Sequence, residues 1–131
     1  MQKDTQLYEG KAKKVWSVVG DPDLVIQEFK NDATAFNGEK RGSWDQKGVV
    51  NNTVACALFR YLESNGIKTH FVEQILPNEM LIKKLQIVPL EVIVRNRAAG
   101  SFVKRYGATE GIIFKEPTFE FSYKRDDLGD P

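Results

Sequence analysis

Cysteine and histidine are nearly absent from this chain, and it contains no long apolar run. Cys56 and His70 are the only residues of their types among 131. A single cysteine excludes an internal disulfide and a cysteine metal cage. No apolar run approaches the ~20 residues that a membrane-spanning helix requires, so no membrane partner is expected. The polar start Met1–Asp4 does not resemble a signal peptide, and we therefore expect a cytoplasmic protein.

The chain also lacks an excess of charge of one sign. Nineteen lysines and arginines against 18 aspartates and glutamates give a net charge of +1. Tyr8, Trp16 and Phe29 are interleaved with lysines, as in some nucleic-acid-binding proteins, but such binding requires a marked basic excess. We therefore predict no nucleic-acid partner. The 41% hydrophobic and 28% charged residues are typical of a globular protein.

The hydrophobic pattern predicts an α+β fold in which an antiparallel sheet packs against one long helix. Ser43 and Gln46 fit a capping box at the start of that helix, and Gly66 ends it. The apolar residues that recur at helical spacing are predicted to face the sheet: Val50, Val54, Ala57, Leu58, Tyr61 and Leu62. Strands are predicted over 7–18 as a hairpin, 24–29 after a turn at 21–23, 67–73, 80–85, from Leu90, 111–115 and 119–123, with a loop over 31–42. Cys56 is predicted to be a core residue and His70 a structural or surface residue.

The stretch Pro89–Ser101 predicts an anion-binding site. Alternation along a strand places Glu91, Ile93, Arg95 and Arg97 on one face. A close backbone approach at Gly100 and a short helix over 102–106 follow. Arginines beside a helix start favour a phosphate ester or a carboxylate. The alternative is that both arginines are simply solvated.

Lysines in two other places are candidates for phosphate contacts. Lys11 and Lys13 lie in a hairpin with Gly10 and Ala12, where small residues let backbone N–H groups approach phosphate oxygens. Lys83 and Lys84 interrupt an apolar strand, so one of them is expected to face a core or a cleft. Solvated lysines and protection of a strand edge are the alternatives. No nucleophile motif or metal-ligand cluster occurs, and the inventory suits phosphoryl transfer by positioning and charge neutralisation.

Several motifs taken together resemble the SAICAR synthetase family, the phosphoribosylaminoimidazole-succinocarboxamide synthases. The segments that carry the resemblance are Leu7–Lys13, Lys47–Asn52, Pro89–Ser101, Phe102–Arg105 and Gly129–Pro131. The resemblance implies an ATP-dependent ligase that joins L-aspartate to carboxyaminoimidazole ribotide (CAIR) through an acyl phosphate, forming SAICAR in purine biosynthesis. It implies ATP as co-substrate, Mg²⁺ as cofactor, and an ATP-grasp-like N-terminal lobe over 1–86 followed by the start of a central substrate-binding region over 87–131.

The same resemblance implies roles for individual residues. ATP would contact Lys11, Ala12, Lys13, Val15 and Lys83. The ribotide would contact Arg95 and Ser101, and Glu91 and Asp130 would take part in catalysis. The family's later stretch of the form Asp-x-Lys-aliphatic-Glu-aromatic-Gly does not occur here, so we expect an N-terminal portion whose metal ligands lie beyond Pro131. The resemblance allows for a homo-oligomer. The alternative reading is a fragment that binds a nucleotide or phosphate ester without catalysis.

Overall fold

The computed structural model of the protein describes residues 1–35 and 40–125, and the chain divides into two compact units, Met1–Leu85 and Gln86–Pro131. The division falls one residue before the predicted boundary, while the functional labels of the two parts stay predictions. The elements of the first unit are β1 (Lys3–Glu9), β2 (Lys13–Val18), β3 (Asp21–Phe29), β4 (Asp32–Ala35), β5 (Lys40–Ser43), α1 (Lys47–Ser64), β6 (Phe71–Leu76) and β7 (Glu79–Lys83). Those of the second are β8 (Leu90–Arg97), α2 (Ser101–Tyr106) and β9 (Ile113–Tyr123).

The first unit is built on a five-stranded antiparallel sheet in the order β1-β2-β3-β7-β6. Helix α1 packs on one face, where Cys56 joins a core with Val25, Phe71, Met80 and Ile82. The opposite face carries a second core of Val18, Ile26 and Leu81. Because side chains alternate along a strand, β3 and β7 supply both cores. The predicted α+β class, the hairpin over 7–18 and the core position of Cys56 are confirmed.

The sheet curls strongly, as the contacts of Lys3 show. Its Nζ donates to Glu28 Oε1 at 2.5 Å and to Glu79 Oε2 at 2.6 Å. In a flat sheet, three strand spacings would separate β1 from β7 by about 14 Å, so curvature must bring these strands together. Burial lowers the pKa of Lys3, but the hydrogen bonds to both carboxylates outweigh that effect and raise it above its ordinary value.

Two loop predictions were wrong in the first unit. The stretch over 31–42, predicted as a loop, contains β4 and β5, which pair antiparallel with Asp32 opposite Ser43. Its polar residues gave no apolar alternation, which is the signal that identifies a strand. The predicted turn at 21–23 is already part of β3, and the chain reverses at Val19–Gly20 instead, where Gly20 has a φ of 78°.

The predicted capping box at the start of α1 was also wrong. Ser43 belongs to β5, and the helix begins at Lys47 with Gln46 at the N-cap position, whose side chain makes no capping bond to the described residues. The side chain of Asn31 takes that role from outside the helix, because its Oδ1 accepts a hydrogen bond from the Gly48 N–H at 2.9 Å. A free N–H of the first turn is thus satisfied by a residue 17 positions earlier in the chain.

The predicted buried face of α1 is for the most part the outward face, with Leu62 half-buried. Val50, Val54, Leu58 and Tyr61 are 42–67% exposed. The residues that contact the sheet are instead Gly48, Asn52 and Cys56, flanked by Ala55 and Phe59. Small residues on this side let the helix approach the strands closely, and the side chain of Asn52 supplies hydrogen bonds to backbone carbonyls that the helix covers.

The second unit is a two-stranded hairpin with a short helix in its connection. β8 pairs antiparallel with β9, with a register shift between Arg95 and Arg97. The predicted strands over 111–115 and 119–123 form one continuous strand through Pro117. Both strands of a hairpin are edges, so the missing N–H of that proline is tolerated. The helix that the sequence places over 102–106 begins at Ser101 and ends as predicted, with Gly107 at a φ of 62°.

The two faces of the hairpin differ in character. The face that carries Ile93 and Arg95 is half-buried and includes Thr118 and Glu120. On the same unit, Phe102 of α2 contacts Phe114, with ring centroids 5.2 Å apart. The other face is apolar and exposed: it consists of Leu90, Val92, Val94, Phe119, Phe121 and Tyr123. In the described part of the chain, no helix is long and apolar enough to cross a membrane.

Candidate functional site

The guanidinium of Arg95 is held by three hydrogen bonds within the second unit. Nε donates to Glu120 Oε2 at 3.0 Å, Nη1 to the Ala99 carbonyl at 2.8 Å and Nη2 to Ser101 Oγ at 3.2 Å. Strand β8 fixes the backbone from which the Arg95 side chain extends, and the turn into α2 supplies two of its hydrogen-bond acceptors. The structure therefore brings together Arg95 and Ser101, which the sequence predicts as ligands of one phosphate.

Gly100 occupies the position that closes this turn. Its φ of 57° lies in the left-handed region, where residues with a side chain are strained. A Cβ there would lie 3.7 Å from Arg95 Nη1, which is ordinary contact. Glycine is therefore required by backbone conformation rather than by space, and the turn it forms aims the Ala99 carbonyl and the Ser101 hydroxyl at one guanidinium.

Glu120 is a site residue that the sequence analysis missed. Its side chain is 13% exposed and accepts hydrogen bonds from two arginines. Oε2 accepts from Arg95 Nε, and Oε1 accepts from Arg105 Nη2 at 2.5 Å. The hydrogen bond from Arg95, together with the bond and charge of Arg105, lowers the pKa of Glu120 below its ordinary value. In the sequence, Glu120 is recognisable only as one carboxylate between Phe119 and Phe121. The pairing of β8 with β9 is what places it beside Arg95.

The arrangement around Arg95 suits an anion. A guanidinium carries two N–H groups on each Nη atom, and each of these atoms uses one of them in the bonds described. One N–H on each therefore has no acceptor among residues 1–35 and 40–125. The Ser101 hydroxyl accepts from Arg95, so its own proton is available for a ligand. These donors suit the oxygens of a phosphate or a carboxylate.

Of the two predicted catalytic carboxylates, Glu91 lies in the described part of the chain, and it does not join this cluster. Glu91 is exposed and pairs with Ser122, whereas Arg95 pairs with Thr118. Four residues along a strand correspond to about 13 Å, so Glu91 stands well away from the guanidinium. Asp130 lies outside the described residues. The catalytic roles of both stay predictions.

The Gly10–Lys13 loop of the first unit is closed by backbone hydrogen bonds. The Gly10 N–H donates to the Lys13 carbonyl at 2.8 Å, and the Lys30 N–H donates to the Ala12 carbonyl at 2.7 Å. Lys11 is exposed, while Lys13 is half-buried with its Nζ 6.0 Å from the centre of the Phe29 ring. Lys11 is therefore the freely accessible cation of this loop.

Val15 is half-buried and packs against the core under α1, and its contact with ATP stays a prediction. His70, predicted as a structural or surface residue, is half-buried and makes an edge contact with Phe59 at 5.1 Å between ring centroids. Burial lowers the pKa of His70, and the positive charge of Lys13 lowers it further. The charge of Lys13 is therefore felt on the face of the sheet that α1 covers, where Val15 also packs.

Lys30 is a second residue that the sequence analysis missed. Its Nζ donates to Glu9 Oε2 at 2.7 Å and to the Gly10 carbonyl at 3.2 Å, and it lies 3.2 Å from Asp32 Oδ2. The hydrogen bond to Glu9 raises the pKa of Lys30 above its ordinary value. Since its charge is already paired, Lys30 holds the loop in place, while the Lys11 side chain is exposed.

Lys83 lies apart from this loop. Lys13 pairs with Phe29 and Lys83 pairs with Leu24, which is a separation of five residues, or about 17 Å, along β3. Lys83 and Lys84 are both exposed, and each borders its own open concavity. Lys83 does so beside Thr69 and the end of α1. The two groups of lysines therefore do not form one cluster.

No three metal-ligating side chains converge within the described ranges 1–35 and 40–125. These residues do not by themselves fit a magnesium site. We therefore assign no step of the chemistry to a metal ligand of this chain.

Comparison with known proteins matches the chain to one family over nearly its whole length. The sequence profile of SAICAR synthetase matches residues 6–131. The phosphoribosylaminoimidazole-succinocarboxamide synthase of Chlorobium limicola is 59% identical over 131 residues, which are 100% of this chain and 55% of that protein. The chain thus spans about half the length of the curated relatives it matches.

Solved structures agree with the sequence comparison. The phosphoribosylaminoimidazole-succinocarboxamide synthase of Ehrlichia chaffeensis superposes with a TM-score of 0.90 at 45% identity, over 97% of this chain and 53% of that one. A SAICAR synthetase in complex with ADP superposes with a TM-score of 0.88 at 47% identity, over 95% and 52% of the two chains. The shared motifs, the family profile and the shared fold agree, and this chain belongs to the SAICAR synthetase family.

Proposed function

We propose that this chain is part of an ATP-dependent ligase that joins L-aspartate to the carboxylate of CAIR and forms SAICAR. The observation that carries the proposal is the fixed guanidinium of Arg95 with its hydroxyl neighbour Ser101, in a chain of this family. A relative at 47% identity binds ADP, which supports ATP as the co-substrate. Mg²⁺ as cofactor, a homo-oligomeric state and a cytoplasmic location belong to the same proposal and rest on the sequence features described above.

The proposed reaction has two steps. The γ-phosphoryl group of ATP passes to a carboxylate oxygen of CAIR, which yields ADP and an acyl phosphate. The amine of aspartate then attacks the acyl carbon, the C–O bond to phosphate breaks, and the amide forms as the amine loses a proton. Both steps need charged groups to be held in place more than they need a covalent partner from the protein.

The residues of this chain would bind the charged ends of the substrates. Lys11 and Lys13 would hold ATP phosphates, and Lys83 would contact another part of the nucleotide. Arg95 and Ser101 would hold the phosphate of the ribotide, with two N–H groups and one hydroxyl directed at its oxygens. Glu91 and Asp130 keep their predicted catalytic roles.

The activity is tested by measuring ADP release in the presence of Mg²⁺, ATP, CAIR and aspartate, with each co-substrate omitted in turn. The assay is run on the 131-residue chain and on a protein that extends it to the length of its relatives. We expect the extended protein to release ADP only when CAIR is present. Release without CAIR would contradict the proposed ligase. Binding of both nucleotide and ribotide without turnover in the extended protein would favour the non-catalytic alternative.

Replacing Arg95 with alanine in the extended protein is expected to raise KM for CAIR by 10-fold to 100-fold and to change KM for ATP less than 2-fold. Charge-assisted hydrogen bonds of this type contribute about 1.5–3 kcal/mol. Steady-state kinetics with each substrate varied in turn provides the measurement. Lys115→Ala is the matched control, because it removes one exposed positive charge from the same unit. Equal losses for CAIR and ATP would refute the assignment of Arg95 to the ribotide.

A further inference from the structure

We propose that Glu120 is a positioning residue that holds Arg95 with its Nη edge toward the phosphate of the substrate. This inference rests on the proposed function, because it takes the ribotide phosphate as the ligand of Arg95. Glu120 does not touch that ligand in this proposal. It acts by fixing the orientation of a side chain that does.

The position of Glu120 in the sheet makes this contact specific. Arg95 pairs with Thr118 across the hairpin, and Glu120 is two residues further along β9 on the same face. Diagonal neighbours of this kind come within reach when the side chains are long. The carboxylate therefore approaches Arg95 from the side and binds Nε at 3.0 Å, which leaves the Nη atoms on the far edge.

Orientation matters because an arginine side chain is otherwise mobile. Ordering such a long side chain costs rotamer entropy. The Nε contact, together with those of Nη1 and Nη2, fixes the plane of the guanidinium before any ligand arrives. A ligand then meets N–H groups whose directions are already set, and the ordering cost is not deducted from its binding.

The electrostatics of the cluster leaves room for an anion. Two guanidiniums and one carboxylate carry a formal charge of +1 in total, since Glu120 is shared by Arg95 and Arg105. The carboxylate screens the repulsion between the two arginines. It also repels an incoming phosphate, so its removal has two opposite effects: lost alignment weakens binding and lost repulsion strengthens it. The three-bond clamp on Arg95 leads us to expect that the loss of alignment dominates.

The test measures binding of ribose 5-phosphate to the 131-residue chain by NMR titration of the arginine Nε–H signals. We expect Glu120→Gln to weaken this binding 5-fold to 10-fold and to shift the Arg95 Nε–H resonance, because a carboxylate acceptor is lost. Glu120→Asp keeps the charge but shortens the side chain, and we expect it to weaken binding as well. Glu116→Gln is the matched control, since it neutralises an exposed carboxylate on the same strand.

Thermal unfolding of each variant separates positioning from a purely structural role. A variant that unfolds early yet binds ribose 5-phosphate as well as the parent would overturn the inference, and so would tighter binding by Glu120→Gln. Failure of the parent chain to bind ribose 5-phosphate would overturn it too. Binding that depends on Glu120, without CAIR-dependent ADP release by the extended protein, would uphold the inference and refute the proposed function.

Discussion

Replacing Asn52 with aspartate is expected to lower the free energy of unfolding of the first unit by about 3–5 kcal/mol, which is at the upper end for a single substitution. Asn52 is fully buried, and its Nδ2 donates to the carbonyls of Leu76, Pro77 and Glu79 at 3.0–3.2 Å. Aspartate would turn a donor into a charged acceptor that faces three carbonyl oxygens. These hydrogen bonds hold the turn between β6 and β7. We therefore expect their loss to destabilise the two strands that the turn connects.

Urea unfolding followed by tryptophan fluorescence measures this effect, because Trp16 and Trp44 both belong to the first unit. Asn51→Asp is the control: it makes the same chemical change one residue earlier on α1, at a half-buried position. We expect the control to cost less than about 1 kcal/mol. Similar losses for the two variants would show that the carbonyl contacts of Asn52 do not govern the stability of this unit.

Replacing Gly48 with alanine is expected to destabilise the first unit by about 2–3 kcal/mol, the range of overpacked core positions. In an open helix the same change is stabilising by about 1 kcal/mol, so the sign itself is informative. A Cβ at Gly48 would lie 2.6 Å from the Phe29 carbonyl oxygen and 3.0 Å from Asn31 Oδ1. The first of these atoms belongs to the backbone and cannot turn away, so the start of α1 would have to move off the sheet.

The matched control for this prediction is Gly42→Ala, where an added Cβ would meet nothing within 4 Å. Chemical denaturation of both variants under the same conditions makes the comparison. A Gly48→Ala protein as stable as the parent would mean that the helix can shift without loss. It would also imply that the close contact between α1 and the end of β3 does not fix the position of the Phe29 backbone.

Local features of the sequence predicted much of the fold. The hairpin over 7–18, the helix ending before Gly66 and the strand from Leu90 all depend on residues close together in the chain. So does the turn that joins Arg95 to Ser101, because six residues separate the two partners. The family resemblance is of the same kind, since it rests on short motifs that are read in order.

The features that the sequence analysis missed depend on distant partners. Glu120 is 25 residues from Arg95, and Lys30 is 21 residues from Glu9. Nothing near either residue in the chain distinguishes it from a solvated charge. Only strand pairing brings these side chains beside the groups they position.

The face of α1 shows the same division most clearly. Apolar spacing predicted Val50, Val54 and Leu58 as the buried side, and that rule assumes that burial follows hydrophobicity alone. The sheet selected the side with Gly48, Asn52 and Cys56, because small side chains allow close approach and one amide satisfies three carbonyls. Residues close together in the chain were enough to predict most of the helices and strands, the family and the chemical types in the site. Which faces meet and which charges are paired follow from the folded arrangement, because they depend on packing and on hydrogen bonds between residues far apart in the chain.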